Sequence, residues 1–114
     1  MDIDRILPSD RWSEAIVHNN VLYFTAVPEI ITNNIEIQMQ SLLDSIDDML
    51  KRVGSDRSRI LDATIFLTDK KDLSGMNKIW DKWVIAGSAP VRCTVIASLV
   101  VPEYLVEMKI TAAI

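Results

Sequence analysis

Between Asn33 and Gly54 the chain carries a single apolar stripe, and that stripe limits the folds open to it. Met39, Leu43, Ile46, Leu50 and Val53 recur at steps of three and four, so they line one face of an amphipathic helix. The spacing predicts a helix starting near Asn33 or Asn34, whose short polar side chain can cap free backbone N–H groups. Glu36 falls in the first turn and Lys51 and Arg52 in the last, the polarity that the helix dipole favours. Gly54 supplies the residue that closes the C-terminus. A helix with one apolar face must bury it against another layer, and the flanking segments indicate a sheet.

Ala15-Ile16-Val17 and Val21-Leu22-Tyr23-Phe24 are β-prone runs on either side of Asn19-Asn20, a pair suited to a tight hairpin turn. Ile3 to Leu7 adds an edge strand ended by Pro8. Leu61, Ala63, Ile65 and Leu67 alternate with Asp62, Thr64, Phe66 and Thr68, the period of a strand. After a solvated charged turn at Asp69 to Asp72, a second helix carries Leu73, Met76, Trp80, Trp83 and Val84 on one face and ends near Gly87. Val91 to Leu99 and Leu105 to Ala113 are two further strands, separated by Pro102. The order predicts an α+β fold: one domain over residues 1–114, with a mixed sheet and both helices on one face. The helix-free face is expected to carry Thr64, Phe66, Arg92, Thr94 and Ile96. That set is too mixed for a core and too apolar for plain surface, so contact with another subunit is expected there.

Composition removes several function classes. The net charge is −4, which gives a phosphate backbone no long-range attraction and argues against nucleic acid as a partner. Cys93 is the one cysteine and His18 the one histidine. A disulfide within the chain, a Cys or multi-His metal site and a Ser-His-Asp triad are therefore not expected. His18 reads as a surface hairpin residue, Cys93 as a small core side chain facing the helices, and Trp80 and Trp83 as helix core. Asp47-Asp48 belongs to the polar face of the first helix. No apolar run is long enough to span a bilayer, and the first residues do not read as a signal peptide, so a cytoplasmic protein without membrane contact is expected.

Arg92 stands in an otherwise apolar strand, where alternation puts it on one face with Thr94 while Val91, Cys93 and Val95 share the other. A guanidinium in such a place must find an anion. Two partners qualify: an internal carboxylate, or a ligand carboxylate in a two-pronged hydrogen bond. Glu107 is a second isolated charge in a neighbouring apolar strand, placed to pair with Arg92 or to hold a water. Trp12, at a strand entry, could be core, subunit contact or site wall.

Pro90-Val91-Arg92-Cys93-Thr94-Val95, followed by Val106-Glu107-Met108-Lys109, resembles the C-terminal signature of the RidA (YjgF-type, RutC-like) family. Arg11-Trp12-Ser13, the Asn19-Asn20 turn, Thr25-Ala26-Val27-Pro28, Ala63-Thr64-Ile65-Phe66-Leu67 and Met76-Asn77-Lys78-Ile79-Trp80 agree in order. The resemblance covers nearly the whole chain and is closest to the YoaB-like branch. It implies a homotrimer of chorismate-mutase-like α+β fold with sites between subunits. It also implies hydrolysis of reactive 2-imino acids and their enamine tautomers to 2-keto acids and ammonia, without a metal or organic cofactor. Carried over, Arg92 grips the substrate carboxylate and Glu107 orients the attacking water. Trp12 stands where many members have a tyrosine, Thr25 where they have a serine, and Ala26 where a glycine is common. Thr94 stands where the archetypal members have a cysteine, and Asn77 matches a position near the site. With Arg92 and Thr94 assigned to the helix-free face, the site is expected on that side of the sheet.

The chemistry is consistent with so short a list, because an imine carbon is already electrophilic and its hydrolysis needs positioning and modest proton transfer. Two rival functions remain. One is a non-catalytic trimer that binds small carboxylates, which needs Arg92 but not Glu107. The other is the ribonuclease activity attributed to the family, which the acidic charge and the lack of a basic, aromatic-interleaved stripe oppose.

Overall fold

The computed structural model describes residues 2–114. Six strands form one mixed sheet: β1 Asp4–Pro8, β2 Ser13–His18, β3 Val21–Ala26, β4 Ile60–Leu67, β5 Val91–Ile96 and β6 Val106–Ala113. Their spatial order is β1-β2-β3-β6-β4-β5. β4 and β5 run parallel, joined through helix α2 (Leu73–Trp83), and the other four pairings are antiparallel. Helix α1 (Ile35–Arg52) lies across β3 and β6 and packs against α2. Both helices cover the same sheet face, so the fold is α+β, as expected. No helix among the described residues is long and apolar enough to cross a membrane.

The local rules hold at the main turns. Asn19 and Asn20 take φ 53° and 62°, the left-handed pair that a two-residue hairpin needs, and His18 pairs with Val21 across them. Asn34 caps α1 by accepting a hydrogen bond from the Ile37 N–H at 3.1 Å. At the other end Gly54 takes φ 79°, letting the Ser55 N–H reach the Leu50 carbonyl at 2.8 Å.

Strands β4 and β5 and helix α2 differ from expectation by more than a residue or in register, each for a local reason. A β-bulge between Ile60 and Asp62 shifts the register against β6, so Ile60 is buried and Leu61 points outward, 48% exposed. Helix α2 stops at Trp83 rather than near Gly87, because Val84 turns extended and Gly87, at φ 83°, serves the turn leading to β5. β5 stops at Ile96 rather than Leu99, because its partner β4 ends opposite at Leu67.

The core joins α1 and α2 to one set of strand residues: Leu22, Phe24 and Ala26 on β3; Ala63, Ile65 and Leu67 on β4; Val106, Met108 and Ile110 on β6. Parallel partners in register present their side chains on the same face. Arg92, Thr94 and Ile96 pair with Ala63, Ile65 and Leu67, so they lie on the helix side. The expectation that put them on the helix-free face is corrected. The face without helices carries Thr64, Phe66, Cys93 and Val95 on this side of the sheet, and Cys93 is exposed rather than packed under the helices. β5 is an edge strand, so its helix-side face is only partly covered, and a long polar side chain fits there.

Candidate functional site

Arg92 is half-buried on the helix side of β5, and two α2 residues one turn apart hold it. Its Nη1 donates to Asn77 Oδ1 at 2.8 Å. Its Cζ stands 5.5 Å from the centroid of the Trp80 ring, within the range of a cation–π contact. Asn77 and Trp80 are three positions apart on a helix, which places them on the same face. Among the described residues no carboxylate pairs with Arg92. The guanidinium is thus oriented by neutral partners and keeps its charge free for an anion. Thr94, two residues along the same strand face, has a buried Oγ1 with no hydrogen-bond partner among the described residues.

Glu107 is elsewhere. It pairs with Phe66 across β6 and β4, between the core residues Val106 and Met108, so it projects from the helix-free face and is half-buried there. An ion pair between Arg92 and Glu107 of one chain, one of the sequence readings, does not form. Thr25 lies beside Glu107 rather than beside Arg92, because it pairs with Lys109 on β6 and is exposed on the same helix-free face. Trp12 precedes β2 and is 62% exposed, which removes the core reading and leaves a site wall or a subunit contact. The six residues singled out from the sequence therefore fall into two clusters and an outlier. Arg92, Asn77 and Thr94 gather on the helix side at the β5 edge; Glu107 and Thr25 gather on the opposite face; Trp12 stands apart.

Trp80 was read from the sequence only as core. It is core, at 5% exposure, but it is also the floor under Arg92. The three-residue step from Asn77 was the available signal, and it is informative only once β5 is known to lie beside α2.

A cleft of about 460 Å3 lies away from both clusters, lined by residues including Asp47, Leu50, Lys51, Arg57 and Ile85. Its central charges satisfy each other: Arg57 donates through Nε and Nη2 to the two Asp47 carboxylate oxygens, both at 2.8 Å. Trp83 Nε1 also donates to Asp47, at 3.1 Å, and Arg57 stacks over the Trp83 ring. The Asp47 hydrogen bonds raise the Arg57 pKa above its ordinary value against the opposing effect of desolvation. Asp47 is thus an anchor between the helices and the loop after α1, not the plain polar-face residue its position suggested. The central charges of this cleft are already paired, whereas Arg92 has no carboxylate partner among the described residues. Among the described residues, no group of three His, Cys, Asp or Glu side chains is arranged to hold a metal ion.

The family model described as Endoribonuclease L-PSP matches residues 2–114. RutC family protein YoaB of Escherichia coli K12 is 54% identical over 114 residues, which is the full length of both chains. A crystal structure of a YjgF protein family member from Neisseria meningitidis superposes with a TM-score of 0.94 at 41% identity, covering 99% of this chain and 95% of that one. The chloroplastic Reactive Intermediate Deaminase A of Arabidopsis thaliana is 32% identical over 90 residues, covering 73% of this chain and 48% of that protein.

Proposed function

The chain belongs to the Endoribonuclease L-PSP family, which takes in the RutC and YjgF proteins, and from that membership we propose that it hydrolyses reactive 2-imino acids to 2-keto acids and ammonia. The observation that carries the reading is the Arg92 guanidinium, aimed by Asn77 and Trp80 and paired with no carboxylate among the described residues. A planar fork of N–H donors suits a carboxylate, the group that every 2-imino acid carries beside its C=N carbon. The name of the Arabidopsis relative supports deamination rather than simple binding. The net charge of −4 favours a small carboxylate over the nucleic acid suggested by the family model's name.

In this reading Arg92 fixes the carboxylate and so presents one face of the imine carbon. A water held by Glu107 adds to the carbon of the protonated imine and gives one proton to the Glu107 carboxylate, forming a neutral carbinolamine. Glu107 returns that proton to nitrogen; the C–N bond then breaks, ammonia leaves, and the hydroxyl proton goes back to Glu107 as the C=O of the keto acid forms. Water supplies the oxygen, and no cofactor enters the balance. Because Arg92 and Glu107 leave opposite faces of one sheet, a site that uses both takes them from two copies of the chain. The mixed helix-free face, with half-buried Ile16 and Phe66 and exposed Tyr23 and Val95, fits such an assembly, and the closed arrangement we propose is a homotrimer acting in the cytoplasm. Thr94 faces the same way as Arg92, and its buried hydroxyl has no hydrogen-bond partner among the described residues. Trp12 and Thr25 complete the proposed pocket.

The test couples an amino-acid oxidase to the protein and follows decay of the imine. Wild type should accelerate decay, Arg92→Ala should abolish the acceleration, and Glu107→Gln should lose turnover while keeping 2-keto-acid binding. Acceleration absent across several amino-acid precursors, with keto-acid binding intact, would instead identify a small-carboxylate-binding module.

A further inference from the structure

We infer that Trp80 is a positioning residue for the carboxylate site: its indole face seats the Arg92 guanidinium and, with Asn77, leaves the side edge of that guanidinium to meet the substrate. The inference rests on Arg92 being the carboxylate anchor.

An arginine on an edge strand has many rotamers and loses about 2 kcal/mol of side-chain entropy when a ligand fixes it. Here the fixing precedes the ligand. One terminal nitrogen, Nη1, is committed to Asn77 Oδ1 at 2.8 Å. The guanidinium carbon is 5.5 Å from the Trp80 centroid, so the ring draws the cation to its face. Nε and Nη2 form the opposite, side-on edge, and two parallel hydrogen bonds from that edge make a complete carboxylate fork.

The seat is itself held rigidly. Trp80 is 5% exposed, and its ring lies 5.7 Å from that of Trp83 at a tilt of 40°. Trp83 is in turn fixed by its Nε1 hydrogen bond to Asp47 and by Arg57 over its ring. Rotation of Trp80 would disturb this packed pair, so the floor under Arg92 does not yield when an anion arrives. A cation held by a ring and a neutral amide keeps its full charge for the ligand, whereas one paired with a carboxylate would have to break that pair first.

The test reads the seat and its consequence separately. In the ligand-free protein, the Arg92 Nε–H resonance is followed by NMR, assigned by its loss in Arg92→Lys. It should be ring-current shifted and motionally restricted in wild type and in Trp80→Phe, and should move to the free-arginine position in Trp80→Leu. Pyruvate is then titrated calorimetrically. Trp80→Phe should bind within about 3-fold of wild type, and Trp80→Leu should bind about 5- to 30-fold more weakly, the range of a partly desolvated cation–π contact. Leu43→Ala, a buried α1 position, controls for lost core packing and should leave pyruvate affinity unchanged. An Arg92 resonance equally mobile in wild type and Trp80→Leu overturns the inference, as does equal weakening in Trp80→Leu and Leu43→Ala. A restricted, shifted resonance in a wild type that fails to bind pyruvate instead sinks the carboxylate reading beneath it.

Discussion

Gln38 shows how a single side chain ties the loops around the fold. It is fully buried on α1, and its Nε2 donates to the Thr32 carbonyl at 2.7 Å and the Glu103 carbonyl at 2.9 Å. Its Oε1 accepts from the Leu105 N–H at 2.8 Å. One amide thus joins the loop before α1 to the loop before β6. Gln38→Leu conserves volume but leaves three backbone groups without partners, and each such group costs about 1 kcal/mol or more. The expected result is about 2–4 kcal/mol of lost stability, read as a lower urea midpoint at unchanged slope. Asp56 supplies a pH-dependent case. Hydrogen bonds from the Ser58 hydroxyl, then from the Ser58 N–H, lower its pKa, aided by Arg59 and opposed by slight desolvation. A carboxylate with a lowered folded pKa stabilises the fold above its unfolded pKa of about 4, and that contribution fades as pH falls through the folded value. Asp56→Asn should therefore flatten the acid limb of the stability curve below about pH 4 and leave its shape at neutral pH unchanged.

Helix packing adds a constraint at the scale of elements. A Cβ on Gly75 of α2 would fall 2.7 Å from Ile35 Cγ2 on α1, so the helices approach more closely there than an alanine allows. Gly75→Ala gains helix propensity yet should lower the melting temperature, because the overlap, at about 1–3 kcal/mol for overpacking, exceeds a propensity gain of about 1 kcal/mol. Pairing it with Ile35→Leu, which keeps the volume but has no Cγ2, should recover part of the loss. The elements themselves were largely legible in the sequence, because their signals are local: the α1 stripe with Asn34 and Gly54, the Asn19-Asn20 turn, the alternation of β4. What was not legible depended on neighbours. The Ile60 bulge follows from pairing with β6, the end of β5 from the end of β4, and the direction of Arg92 from its register with Ala63. Alternation puts Arg92 and Cys93 on opposite faces; only the adjacent strand says which face is which. Asn77 was named through family resemblance, and its contact with Arg92 depends on how the parallel β4–α2–β5 crossover lays the helix beside the strand.

For the whole molecule, the sheet separates the two charges on which the proposed chemistry depends. Arg92 projects toward α2, and Glu107 projects from the helix-free face. A single chain therefore cannot bring its own Glu107 to a carboxylate held at Arg92. In the proposed trimer each working site combines Arg92 of one copy with Glu107 of another, and mixing of subunits tests this. Arg92→Ala and Glu107→Gln proteins, each inactive alone in the imine-decay assay, are unfolded together, refolded at equal ratio and assayed again. In a cyclic trimer with random mixing, about one quarter of the sites pair an intact Arg92 with an intact Glu107, so about one quarter of wild-type activity should return. Activity that stays at the level of the separate variants, although mass spectrometry shows mixed trimers, would contradict the shared site.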